Sequence, residues 1–140
     1  MTTKHEQVLS AIDTTLDGTA GAGVRVYRSR VDPLSRAESG AIVIRPGRRI
    51  PSAVSNCKTD WKSEVFIDVY ARGLIPDQVA DPIIEDMHRR LMANRSLGGL
   101  AMDIEPGPVH PEFEKADLPA VWMVHLYIVT YRTNVEDLST

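Results

Sequence analysis

The sequence predicts an α+β domain: a mixed, mainly antiparallel β-sheet with two amphipathic helices packed on one of its faces, in the order α-β-β-β-α-β-β. Three observations predict it. Val8, Leu9, Ile12 and Leu16, and again Val79, Ile83, Ile84, Met87 and Leu91, recur at helical spacing. Residues 61–72 and 120–133 alternate from side to side as strands do. Short apolar runs bounded by proline and glycine supply the remaining strands. The chain has 140 residues, the size of one domain, and buries roughly two-thirds of the surface its unfolded form exposes. Residues 1–133 read as that domain and 134–140 as a flexible C-terminal tail.

The first helix opens on Thr3-Lys4-His5-Glu6, a capping box in which a hydroxyl is followed three residues later by a carboxylate. Gly18, Gly21 and Gly23 close it. A strand over 24–28 follows, broken by Asp32-Pro33, and then a second over 41–45, closed by Pro46-Gly47. Residues 48–60 hold Pro51, Ser52, Ser55 and Asn56 without periodicity and read as a long loop. In the strand over 61–72, Val65, Ile67, Val69 and Ala71 form the core-facing set. The second helix spans 76–93, acidic early and basic late as its dipole favours. Pro82 either starts its regular part, with Asp81 as cap, or kinks an earlier turn. Leu97-Gly98-Gly99 is a turn, 100–105 a short strand, and the proline- and acid-rich 106–119 a loop. Both faces of the strand over 120–133 are apolar, which places it centrally in the sheet. With both helices on one face, aromatics on the other, such as Phe66 and Tyr70, require a partner.

Cys57 is the lone cysteine, so no internal disulfide forms and a reducing cytosol is the expected compartment. The N-terminus has no apolar core of signal-peptide length, and no stretch reaches the roughly 20 apolar residues of a membrane helix. The net charge of −3 does not suit general nucleic-acid binding. The charge is unevenly placed. Residues 24–72 carry ten Lys/Arg against five Asp/Glu, and residues 100–118 five Asp/Glu against one Lys. One reading is two solvated surfaces. The other is a basic and an acidic face through which identical copies attract one another.

Searches for chemistry give little. The glycines of 18–23 leave a helix and enter a strand, the reverse of a phosphate loop. Glu85 and His88 have the E-x-x-H spacing of helical di-iron sites but occur once, without the further glutamates. His110, Glu112, Glu114 and Asp117 lack the spacing of a calcium loop. No cofactor or metal is expected. One enzymatic alternative stays open, a small α+β enzyme using Asp103 and Glu105, two apart on a strand, with His125. Arginine outnumbers lysine twelve to four. Its planar fork suits protein interfaces, and Trp61 adds a potential anchor. The interface candidates are Arg28, Arg30, Arg36, Arg48, Arg49, Trp61, Asp103 and Glu105.

Taken together, RVYRSR at 25–30, LSRAE at 34–38, IVIRPG at 42–47, LMANRSLGG at 91–99 and VTYRT at 129–133 resemble bacteriophage tail terminator proteins of the lambda minor tail protein U type. The resemblance runs to about Thr133 and rests on the order and spacing of the segments. It implies a non-enzymatic virion protein at the head-proximal end of the tail, assembled in the host cytoplasm. A hexameric ring would cap the tail tube at its final length. One ring face would meet the tube protein and the other a head-completion protein, with DNA passing through the bore without specific binding. It implies no catalytic residues. A different neck or connector protein is the nearest alternative.

Overall fold

The computed structural model describes residues 2–22, 25–30 and 39–140. Its elements are α1 (Lys4–Leu16), β1 (Val26–Arg28), β2 (Gly40–Val54), β3 (Lys58–Arg72), α2 (Pro76–Ala93), a 3-10 turn (Leu97–Gly99), β4 (Asp103–Glu114) and β5 (Ala120–Asn134). The order and kind match the expectation. The strands form one sheet in the order β1-β2-β3-β5-β4. β1 and β2 are parallel, and every other pairing is antiparallel.

Both helices end where local chemistry dictates. The Thr3 hydroxyl accepts the Glu6 backbone N–H at 3.2 Å, satisfying a first-turn donor that has no partner within the helix. Gly18, just past the end of α1, takes φ +84°. α2 starts on Pro76, where a missing N–H costs nothing. It also continues through Pro82, so Pro82 does not start the regular helix and Asp81 is not its cap. Pro82 is solvent-exposed, so the carbonyl it leaves without a donor lies on the hydrated side. Ile83, Met87 and Leu91 are buried. Ala80 completes the stripe in place of Val79, which is exposed.

The core lies between these helices and one face of the sheet. Val65, Ile67, Val69 and Ala71 of β3 are fully buried there, as the alternation predicts, beside Ile42 and Ile44 of β2, Ile104 of β4, and Val121, Tyr127, Val129 and Tyr131 of β5. Burial of each large side chain contributes about 1.5–3 kcal/mol. A second, smaller cluster of Ala41, Tyr70 and Ala120, with Tyr27 and Trp122 against it, lies on the opposite face and includes no helix residue. There the Phe66 ring meets the Arg45 guanidinium, 4.9 Å from its centroid, and the Tyr70 and Trp122 rings sit 4.9 Å apart. The expected partners of these aromatics are thus found within the chain.

Three expectations are corrected. Residues 48–60 are not a loop: β2 and β3 continue through them as an arm turning at 55–57, with β5 paired along β3 as far as Lys58 and register shifts at Pro46/Arg49 and Pro51/Ala53 absorbing the prolines. Residues 106–114 belong to β4, which pairs with β5 across a shift between Pro106 and Val109. The residues past Thr133 are tied down. The Val135 N–H donates to the Cys57 carbonyl at 3.0 Å, and the Leu138 carbonyl accepts the Lys4 N–H at 2.7 Å. The outer margins of the sheet carry the prolines. Pro106, Pro108 and Pro111 lie on β4, and Pro46 and Pro51 lie on the part of β2 that β1 does not reach.

Candidate functional site

Most arginines are paired within the chain. Arg28 Nη2 meets Glu6 Oε2 at 2.8 Å and joins β1 to α1. Arg48 grips Glu64 through two bonds of 2.8 and 3.2 Å. Arg45 does the same to Asp68, Arg132 to Asp60 and Arg95 to Asp103. These guanidiniums hold Glu64, Asp60 and Asp103 below the usual carboxylate range. The Arg30 guanidinium stacks 4.4 Å from the Tyr27 ring centroid. Arg36 lies outside the described residues. The basic stretch is therefore largely neutralised where it stands, and exposed pairs of this kind add little to stability.

Arg49 is the exception. Among the described residues it makes no ion pair. It opposes Ser63 in the β2–β3 ladder, on the helix side of the sheet. There it lines a cavity of about 320 Å³ with Thr3, His5, Trp61, Tyr131, Thr133 and Leu138. Four parts of the chain meet at this point: the start of α1, the base of the β2–β3 arm, the end of β5 and the C-terminal tail. Trp61 is held in place by its indole N–H, which donates to the Thr133 hydroxyl at 3.0 Å.

His5 forms the floor. It occupies the apolar stripe of α1 and is 7% exposed. Its Nδ1 is hydrogen-bonded to the Ser63 hydroxyl at 3.1 Å, while its Nε2 is buried with no partner. Burial, reinforced by the Arg49 charge, lowers its pKa to about 4, so the ring is neutral at pH 7. Tyr131 opposite it is pushed up by burial. The cavity thus offers one cation without an ion pair among the described residues, apolar and aromatic walls and an unsatisfied imidazole nitrogen. That is a seat for a group at once apolar and anionic.

A pH dependence follows. A histidine whose pKa is depressed by folding binds its proton more readily when unfolded, so stability falls as pH drops from about 6.5 towards 4. His5 accounts for up to about 3 kcal/mol of that loss, and His125, also lowered by burial, adds to it. We expect His5→Gln to flatten the decline of Tm between pH 6.5 and 4 relative to the unmodified chain. Parallel pH profiles would exclude His5 as the cause.

The remaining candidates scatter. Glu105 and Asp103 pair in register with Ile128 and Thr130, whereas His125 pairs with Ile67 and Val109 on the opposite face of the sheet. The three groups of the enzymatic alternative therefore do not converge. His88 Nδ1 is hydrogen-bonded to the Tyr127 hydroxyl at 2.8 Å. Among the described residues no group of three or more His, Cys, Asp and Glu is placed to hold a metal, and no helix is long and apolar enough to cross a membrane. Of the seven interface candidates among the described residues, the cavity unites Arg49 and Trp61. It adds His5, Tyr131 and Leu138, which sequence reasoning missed. His5 left a signal, since it falls in step with Leu9, Ile12 and Leu16. No family model matches the chain, and no curated protein matches it significantly.

Proposed function

We propose that this chain is a structural virion protein of the tail-terminator kind. Copies close into a ring, a hexamer by the family resemblance, that caps the tail tube, stops its growth and presents a surface for joining to the head. No bond is made or broken. The observation that carries this reading is the one-sided layering of the sheet. The helices cover one face. The other holds Val124, Leu126 and Ile128, each partly exposed, in a row along β5. A row of large apolar side chains left half wet is surface awaiting a partner. A ring of identical subunits needs two unlike surfaces per copy, and this chain offers that open face and the Arg49 cavity on the other side.

The test is electron microscopy of tails assembled without this protein. A terminator's loss gives overlong or unjoined tubes. Normal tails beside separate heads would instead assign the chain to the head side of the neck, as a connector. In the purified protein, Arg48→Glu with Arg49→Glu is expected to block ring formation and tail joining, read by light scattering and negative-stain imaging. Intact rings and joined tails would remove both residues from the interface.

A further inference from the structure

We infer that the Arg49 cavity is a binding site for a small carboxylate carried on an apolar body, a single aromatic ring or a short branched chain; the inference holds whether or not copies close into a ring. The Trp61 and Tyr131 rings and Leu138 form its walls. Its polar groups want partners. Arg49 makes no ion pair among the described residues. Tyr131 is 3% exposed, and its hydroxyl makes no hydrogen bond among them. Unlike Nε2 of His5, that oxygen is not sealed from water, and the cavity that Tyr131 lines is its outlet. The Thr133 hydroxyl accepts the Trp61 indole N–H at 3.0 Å and keeps its own proton to donate. The Arg49 charge acts at the same place, since it lowers the pKa of His5 after burial does and offsets part of the rise that burial gives Tyr131. Donors that include a cation call for an acceptor with a negative charge.

Charge, shape and size narrow the ligand. A single guanidinium balances a single negative charge, and its fork fits the two oxygens of a carboxylate. A phosphate dianion would keep an unbalanced charge against apolar walls, which is costly. The volume of about 320 Å³ lies at the small end of ligand cavities, whose linings are mainly apolar with a few placed polar groups. The chain does not supply the anion from the elements that frame the cavity. Glu6 is held by Arg28, Asp60 by Arg132, Glu64 by Arg48 and Asp137 by Ser139. The same chemistry reaches the cavity as a free acid or as the C-terminal carboxylate of a polypeptide.

The experiment is isothermal titration calorimetry of the full chain, with circular dichroism to confirm folding of each variant. The probes are phenylacetate, phenylacetamide, acetate, inorganic phosphate and N-acetylphenylalanine, the last standing for a chain end. Phenylacetate is expected to bind once per chain with a Kd of about 1 mM or below. The amide, acetate and phosphate bind about tenfold more weakly or not at all. Arg49→Gln changes an exposed side chain and weakens phenylacetate about tenfold or more. Tyr131→Phe keeps the wall and weakens it about threefold or more. Lys115→Gln removes the same charge beside the Glu114–Ala120 pair, at the other end of β5, and leaves binding unchanged. N-acetylphenylalanine binding more tightly than phenylacetate upholds the site and assigns it to a chain end, whereas the reverse order upholds it for a free acid. Equal binding of acid and amide, phosphate bound as tightly as phenylacetate, or full binding by Arg49→Gln overturns the inference. So does an absence of binding by either acid up to about 10 mM. Light scattering of the same samples judges the ring reading separately, because association of copies and uptake of an acid are read independently.

Discussion

Gly40→Val is expected to cost more than about 3 kcal/mol and to lower Tm by about 10 °C or more. Gly40 opens β2 beneath the turn that leaves α1. A Cβ built there would lie 2.6 Å from the Gly21 carbonyl oxygen and 2.9 Å from Ile83 Cδ1. The first is backbone and has no rotamer to change. Gly21 itself sits at φ +81°, so its peptide has little room to shift. Relief would require lifting the α1–β1 turn off the sheet or displacing Ile83 of α2, which is 2% exposed. Ile83→Ala in the same chain therefore fails to rescue the variant, because the carbonyl contact remains. Denaturant or thermal unfolding measures this directly. A change within about 1 kcal/mol would mean that the turn moves more easily than its packing indicates.

Asp86→Ala is expected to cost about 2–4 kcal/mol, by loss of charge-assisted bonds around a nearly buried carboxylate. Asp86 accepts from Arg89 Nη2 at 2.7 Å, from the Ala20 backbone N–H at 2.8 Å and from Arg90 Nε at 2.9 Å. Arg90, oriented by that contact, donates onward to the Asp17 and Gly18 carbonyls at 3.2 and 2.9 Å. Two side chains of α2, Asp86 and Arg90, thus clasp the end of α1 and the turn after it. Arg89 above all, then the Ala20 amide and Arg90, hold its carboxyl far below the ordinary 3.8. A depressed carboxyl contributes stability above its unfolded pKa and loses it as pH falls further. Asp86→Asn should accordingly flatten the acid limb below about pH 4, a window distinct from that of His5. An unchanged acid limb would show that the clasp does not contribute to acid stability.

The helices and the two long central strands were legible because each has one buried side, and burial is what writes periodicity into a sequence. Val65, Ile67, Val69 and Ala71 alternate because α1 and α2 cover them. The arm reads as a loop for the converse reason. From Arg48 to Lys58 every residue is exposed, so neither face of these strands selects apolar side chains, and Pro51, Ser52 and Asn56 dominate the impression. The outer part of β4 was misread on the same grounds, as Pro108 to Glu114 are all exposed. Register with a neighbour decides such strands, and no single segment encodes it. The cavity was harder still. Arg49 and Trp61 were singled out for their residue type, but His5 and Tyr131 join them across 126 positions of chain, a distance that local pattern does not bridge. The charge asymmetry misled in part, because Arg45, Arg48 and Arg132 find their carboxylates on adjacent strands, where spacing along the sequence conceals them.

The prolines on β4 and on the part of β2 beyond β1 bear on how the chain behaves in bulk. An extended strand from a stranger recruits its place in a sheet through a regular row of amide donors, and at these margins the row has gaps. Collisions side by side therefore find too few rungs to hold, and crowding alone does not zip the molecules into fibres. Any association of copies must then rest on shape and charge rather than on strand pairing.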